Sequence, residues 1–425
     1  MRTVKFFTLG CKANQYDTQG IREQFARRGF REIDNGHCAD ICVINTCTVT
    51  HRADSDSFQL IRRAKRESPR ARIIVTGCLA ELDGDKIKNI DKEAIIIKNS
   101  DKHRIASFLP GFCQITSKRD NEITNASITC FKGHTRAFLK IQDGCNNRCS
   151  YCKVPLVRGA SRSKPKEVVI QEARQLAKSG FQEIVLTGIC LGSYGKDLGP
   201  GSDIAEIVTS LEDIEGLLRV RLSSIEANDI TDGLIEKIAK SSKLCPHLHI
   251  PLQSGDNEVL KRMRRSYTRQ DYLKLIKKVK NKIPGIAITT DVLVGFPGET
   301  EKNFQNTLDL VKKILPLKVH IFPYSKREGT PAAGLKDDLS YKELKERTGR
   351  LAKMSDSCSL AYKKKFLNRK LPVLIECRVK GRPGFWEGHT ANYIKVMVNS
   401  KKGLKNRVIL AELIKPVNEC ILGNY

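Results

Sequence analysis

A chain of 425 residues with 40% apolar side chains exceeds what one hydrophobic core usually serves, so two or three domains are expected. Its 75 Lys and Arg against 47 Asp and Glu give +28, a field that suits a polyanion such as RNA or DNA, although Lys-rich surfaces also serve solubility. No apolar run approaches the roughly 20 residues of a membrane span and no basic-then-apolar leader opens the chain, so a cytoplasmic protein without a membrane anchor is expected.

From Val4 to Ile97, short β-branched runs alternate with amphipathic stretches. Val4–Leu9, Ile41–Asn45, Ile73–Thr76 and Ala94–Ile97 read as strands, with helices at Gln15–Arg28 and Ala53–Lys65, which together predict a doubly wound parallel sheet. Cys11, Cys47 and Cys78 each fall just past a strand end. In an open parallel sheet those ends line one crevice, so the three thiols would meet there or else be unrelated core cysteines. Residues 98–133 are polar and irregular and read as a domain boundary.

A second alternating series follows. Ala137–Ile141, Glu183–Thr187, Arg219–Ser223, His247–Pro251, Ala287–Val294 and Lys318–Phe322 read as strands. Helices fill the gaps at Pro165–Ser179, Asp203–Glu212, Asp232–Lys240, Thr268–Lys282 and Glu301–Ile314. Six strand-helix units predict a partial parallel barrel with its active site at the strand carboxyl ends. After a basic helix at Tyr341–Phe366, Leu371–Lys380, Gly384–Ala391, Ile394–Val398 and Val408–Ile414 predict a small antiparallel barrel. Between Leu360 and Tyr425 there are 14 Lys and Arg but 4 Asp and Glu. Basic residues beside Phe385, Trp386 and Tyr393 suit single-stranded RNA loops, and Trp386 suits a barrel core equally well.

Fifteen cysteines in a chain too large to need disulfide staples point to metal or redox chemistry. Cys145, Cys149 and Cys152 lie in C-x3-C-x2-C spacing straight after the first strand of the six-unit series. Three thiolates on a short loop can hold three irons of a cubane cluster and leave the fourth open to a chelating ligand; a zinc site short of one ligand is the alternative.

This spacing, with an aromatic residue before the last cysteine, resembles the radical S-adenosylmethionine superfamily. The segments TLGCKANQYD (8–17), NTCTVTHRAD (45–54), VTGCLAE (75–81), GCNNRCSYCKVPLVRGASRS (144–163), HIPLQSGD (249–256) and TDVLVGFPGET (290–300) extend the resemblance over nearly the whole chain to the methylthiotransferases. Within that family the first two segments are most similar to the branch acting on N6-threonylcarbamoyladenosine beside the tRNA anticodon. The resemblance implies three parts: a domain over residues 1–112, a radical core over 131–367 and an RNA-binding TRAM-like barrel over 368–425. It also implies two [4Fe–4S] clusters, one on Cys145, Cys149 and Cys152 and one on Cys11, Cys47 and Cys78.

The implied chemistry is reductive cleavage of S-adenosylmethionine, hydrogen abstraction from the adenine ring and insertion of a methylated sulfur. An electron donor protein of flavodoxin or ferredoxin type and a sulfur donor would be partners, and the substrate would be the tRNA anticodon stem-loop. Tyr151, Thr187, Gly188, Ser224, Gln253, Ser254 and Asp291 would contact S-adenosylmethionine, with Ser223 and Glu226 nearby; each also has an ordinary structural reading. Arg148, Arg158 and Arg162 would face phosphates, the cofactor or solvent. Two positions depart from the family pattern. Cys190 stands where the related branch often has His, so it is not counted as a ligand, and no Pro follows Glu226, which weakens the contacts placed there. Rival substrates are isopentenyladenosine or a ribosomal protein side chain, and the rival class is a noncatalytic redox-sensing RNA-binding protein. Cys38, Cys42, Cys113, Cys130, Cys245, Cys358, Cys377 and Cys420 fit neither triad and mostly read as packing residues.

Overall fold

The computed structural model describes residues 2–34, 36–109, 127–336 and 339–425. Much of the expected boundary segment, with Cys113, lies outside them.

Five parallel strands stand in the order Arg31–Glu32, Thr3–Thr8, Ile41–Thr46, Arg72–Gly77, Ile95–Ile96. Ile41–Thr46 is buried at every position, as a strand covered on both faces must be. Its side chains alternate between two cores. Ile41 and Val43 pack with Ile21 and Phe25 of the helix Lys12–Arg27, while Cys42 and Ile44 pack with Ile61 and Ala64 of the helix His51–Glu67. The expected doubly wound sheet is therefore present. Both helices start earlier than their periodicity indicates; for the second, the Thr50 side chain caps the first turn by accepting from Ala53 N.

All six expected barrel strands form, as Arg136–Lys140, Glu183–Thr187, Arg219–Leu222, His247–His249, Ala287–Val294 and Lys318–Pro323. They pair in parallel as two groups of three, and the isolated bridges Val220↔Leu244 and Ser224↔His249 join the halves in sequence order. Helices Lys166–Lys178, Ile204–Glu212, Asp232–Lys240, Arg269–Lys282 and Glu301–Ile314 cover the outside, and Tyr341–Lys364 follows the last strand. Thr300 and Asn303 form a capping box that fixes the start of the fifth helix.

The C-terminal unit is a closed barrel of five strands, Lys370–Arg378, Phe385–Thr390, Lys395–Asn399, Val408–Val417 and Cys420–Asn424. Two points correct the sequence reading. A fifth strand exists, and it pairs in parallel with Lys395–Asn399, so the barrel is mixed rather than antiparallel. The cause is a two-residue turn: Val417 pairs with Cys420, and Asn418 takes the positive φ of 53° that such turns need. Trp386 belongs to this barrel's core at 6% exposure.

The small barrel is docked on the amino ends of the central strands. Tyr393, at φ 65°, stacks between His247 (centroids 4.4 Å apart) and His389 (4.9 Å), with the Arg221 guanidinium 4.8 Å from the ring centre. Arg219 Nη2 donates to Pro372 O at 2.7 Å and Arg221 Nη1 to Ala391 O at 2.9 Å. Among the described residues no helix is long and apolar enough to cross a membrane.

Candidate active site between two cysteine triads

The segment holding Cys145, Cys149 and Cys152 is pinned at its base by a short antiparallel pair, Gln142–Asp143 with Arg162–Ser163. Gly144 has φ 75°, and a Cβ there would lie 1.9 Å from Ala160 O, so only glycine lets the two arms close. Gln142 Nε2 donates to Gly144 O (2.8 Å) and Ser161 Oγ (2.9 Å), and Cys145 N donates to Gly159 O (3.1 Å). The thiols face donors: Asn147 N is 3.4 Å from Cys145 Sγ, Val154 N 3.4 Å from Cys152 Sγ and Arg265 Nη1 3.2 Å from Cys149 Sγ. Hydrogen bonding from Cys190 lowers the Cys145 pKa, whereas burial pushes the Cys152 thiol up to about 11.

The second triad converges from three loops. A Cβ on Gly10 would lie 2.9 Å from both Cβ and Sγ of Cys47, and one on Gly77 would lie 2.3 Å from Thr46 O. These glycines let the loops bearing Cys11, Cys47 and Cys78 close on one another. Asn14 Nδ2 ties two of them by donating to Leu9 O (2.7 Å) and Thr46 O (3.0 Å). Cys47 and Cys78 are buried while Cys11 is exposed, and burial pushes the Cys47 thiol up to about 11. Soft thiols converging in threes, with donors around them, fit an iron–sulfur cluster at each triad.

One cavity of about 220 Å³ connects the triads, since Cys78 and Cys152 both line it. Tyr151, Gln253, Asp291, Tyr324 and Arg327 are further lining residues. Gln253 holds φ 64°, its N–H donates to Asp291 O at 2.8 Å, and the Asp291 carboxylate meets His249 Nε2 at 3.1 Å. His320 completes a half-buried group with these two, all ligand atoms lying within 4.8 Å of one another. Thr187 ends the second barrel strand, and a Cβ on Gly188 would lie 2.7 Å from Gln142 Oε1, which places both beside the base of the radical loop. Ser224 pairs with His249 at the junction of the barrel halves and Ser223 is buried beside it. Ser254 is not among the residues that line the cavity: it is fully buried, its Oγ 3.4 Å from Thr307 Oγ1 and 3.3 Å from the Asp256 N–H.

Several residues of the site were either passed over or left open in the sequence. Arg265, in the basic run Arg262–Arg265, joins Cys149 to Glu226. Cys190, set aside in the sequence, lies beside Cys145 with its sulfur accepting from Ser193 Oγ at 3.2 Å. Arg158 is buried behind the radical loop, not exposed, and donates to Asn14 Oδ1 (2.5 Å) and Asp143 Oδ1 (2.8 Å). It belongs to a buried network in which Asp17 also meets Lys102 (3.0 Å) and Lys140. Burial alone would raise the Asp17 pKa, but Lys102, Lys140 and Arg158 outweigh it and hold the carboxyl at about 2. This network joins the helix that follows Cys11 to the strand and loop that carry the other triad.

A six-strand partial barrel with three thiols above its first strand defines a radical S-adenosylmethionine protein, and residues 139–311 match the model of the Radical SAM superfamily; residues 3–98 match that of Uncharacterized protein family UPF0004. A radical S-adenosylmethionine methyltransferase structure from Kitasatospora setae has the same fold at TM-score 0.55 and 12% identity, over 76% of this chain and 73% of its own. Threonylcarbamoyladenosine tRNA methylthiotransferase MtaB of Bacillus subtilis is 40% identical over 99% of this chain and 96% of its own length. The tRNA-2-methylthio-N(6)-dimethylallyladenosine synthase of Pelotomaculum thermopropionicum is 34% identical over 96% and 94%. The chain belongs to the tRNA methylthiotransferase family of radical S-adenosylmethionine enzymes, whose chemistry uses a [4Fe–4S] cluster and S-adenosylmethionine.

Proposed function

We propose that this protein converts N6-threonylcarbamoyladenosine beside the tRNA anticodon to its 2-methylthio derivative, with one [4Fe–4S] cluster on Cys145, Cys149 and Cys152 and a second on Cys11, Cys47 and Cys78. The observation that carries the reading is the shared cavity, which has a thiol of each triad on its wall. An adenine C–H is neither acidic nor electrophilic enough for side chains, so the cofactors supply the radical and the sulfur. The chain's own residues bind, orient and exclude water. Tyr151, Gln253 and Asp291 line the chamber, and Thr187, Gly188 and Ser224 stand at the strand ends where S-adenosylmethionine would lie. Arg265 and the N–H groups of Asn147 and Val154 stabilise thiolate charge.

Parts over residues 1–112, 131–367 and 368–425 divide the work among sulfur placement, radical generation and RNA docking, in a cytoplasmic setting with a flavodoxin- or ferredoxin-type electron donor and a separate sulfur donor. The choice of threonylcarbamoyladenosine over isopentenyladenosine rests on the motifs at 8–17 and 45–54 and on the 40% identity with the Bacillus subtilis protein. Anaerobic reduction with S-adenosylmethionine and an anticodon stem-loop tests the reading. Cys149→Ala is expected to abolish deoxyadenosine release, and Cys78→Ala to leave release intact while abolishing methylthio product. Release undiminished by Cys149→Ala, or product found on isopentenyladenosine alone, would overturn it.

A further inference from the structure

Three arginines stand by the triads or the chamber between them, and two are committed to the triads. Arg265 donates to Cys149 Sγ, and Arg158 feels the charges of Cys78 and Cys11 while bonded to Asp143 and Asn14. Arg327, on the segment after the last barrel strand, differs. It is 3% exposed and lines the cavity with Cys78 and Cys152. Among the described residues its Nη2 donates to Thr48 O (3.0 Å), Thr48 Oγ1 (2.8 Å) and Asp54 Oδ2 (2.6 Å). Its Nε and Nη1 are buried without a partner among the described residues.

Charged donors rarely stay buried and unsatisfied, because each forfeits its hydration with nothing in return. The geometry outside the guanidinium is fixed: Thr48 and Asp54 hold one nitrogen, and Thr330 Oγ1 holds the Arg327 carbonyl at 2.6 Å. The side chain is therefore preorganised in the wall of a chamber also lined by Val154, Val157, Leu293 and Tyr324, with two of its nitrogens sealed just behind that wall. Flat apolar walls suit a nucleobase, and a guanidinium matches carboxylate and phosphate oxygens.

We propose that Arg327 is a substrate-binding residue whose free guanidinium hydrogens receive an oxyanion of the RNA as the target adenosine enters the cavity. Two oxyanions travel with that nucleotide, its backbone phosphate and the carboxylate of the threonylcarbamoyl group. The inference rests on the functional reading above. Holding the Cys47 loop through Thr48 and Asp54 with the same side chain, Arg327 links substrate arrival to the placement of the second triad.

The test measures binding of anticodon stem-loops to the anaerobically reconstituted holoenzyme by fluorescence anisotropy. Three loops are compared: natural, with the carboxylate as its methyl ester, and with a neutral methylphosphonate beside the target nucleotide. Wild type is expected to bind one neutral loop about tenfold or more weakly, the scale of a charged hydrogen bond, and which loop it is identifies the oxyanion. Arg327→Gln is expected to weaken the natural loop equally and to erase its advantage over that neutral loop. Iron content and melting temperature report whether the variant is intact, and Arg327→Lys, which keeps the charge, is the second variant. Wild type binding all three loops equally, or Arg327→Gln weakening all three alike, would overturn the proposal. Failure of wild type to make any methylthio product would instead sink the functional reading, whatever the binding results.

Discussion

Asp17→Asn is the substitution that most directly probes how the two triads are held together. Asp17 lies on the helix that starts after Cys11, and its carboxylate meets Lys102 and Lys140 and lies 3.5 Å from Arg158, each of them buried. Among the described residues Asp143 is the only other carboxylate bonded to these cations, taking Lys140 at 2.9 Å and Arg158 at 2.8 Å. Asparagine keeps the shape and removes the charge, leaving three cations against one anion. The fall of the Asp17 pKa from 3.8 to about 2 corresponds to a stabilisation on the order of 2 kcal/mol, and breaking a buried pair typically costs about 3–5 kcal/mol. A loss of about 2–4 kcal/mol and a drop of roughly 5–15 °C in melting temperature are expected. The sign with pH follows from the depressed pKa. The stabilisation is complete above the unfolded value of about 4 and drains as pH falls toward 2, so wild type loses stability in that window more steeply than the variant. Urea unfolding at several pH values measures this, with amide exchange on Lys12–Arg27 as the local readout. A variant within about 0.5 kcal/mol of wild type at neutral pH would refute the reasoning, because a network that can lose a charge at no cost is not holding the interface.

Other positions give separate tests. Gly77→Ala places a Cβ 2.3 Å from Thr46 O at φ 100°, so about 1–3 kcal/mol of backbone strain and loss of roughly half the bound iron are expected, with the Cys145 triad still loaded when iron is quantified. Tyr16→Phe removes a buried hydroxyl that donates to Glu172 (2.6 Å) and accepts from Lys164 (2.8 Å); denaturation is expected to show a loss of about 1–3 kcal/mol. Arg265→Gln removes a cationic donor from Cys149 Sγ, and potentiometric EPR is expected to show a more negative cluster potential, while an unchanged potential would refute that role.

The parts of this molecule that obey a period were readable in advance. The alternation of β-branched runs with amphipathic stretches placed the strands of both parallel sheets, and strand ends placed Cys11, Cys47 and Cys78 together because topology converts sequence spacing of about 30 residues into proximity. What escaped has no period. The strand Cys420–Asn424 is five residues long and follows a turn marked only by Asn418. Arg158 was open between phosphate, cofactor and solvent, and nothing distinguishes Arg265 and Arg327 among 75 Lys and Arg, because the burial of such residues follows from partners as distant as Thr48, 279 residues from Arg327. Ser254 adjoins Gln253 in one motif, yet Gln253 lines the cavity while the Ser254 side chain is buried against Thr307.

Tyr393 has a consequence for size discrimination. By seating this ring between His247 and His389, the C-terminal barrel is fastened to the central one instead of hanging from a linker. The distance from its outer surface to the chamber is then a fixed length, as in a caliper, and does not fluctuate with chain statistics. A ligand that must touch both jaws is selected by its dimensions before any base is read, and one that is too short or too long forfeits one contact to make the other.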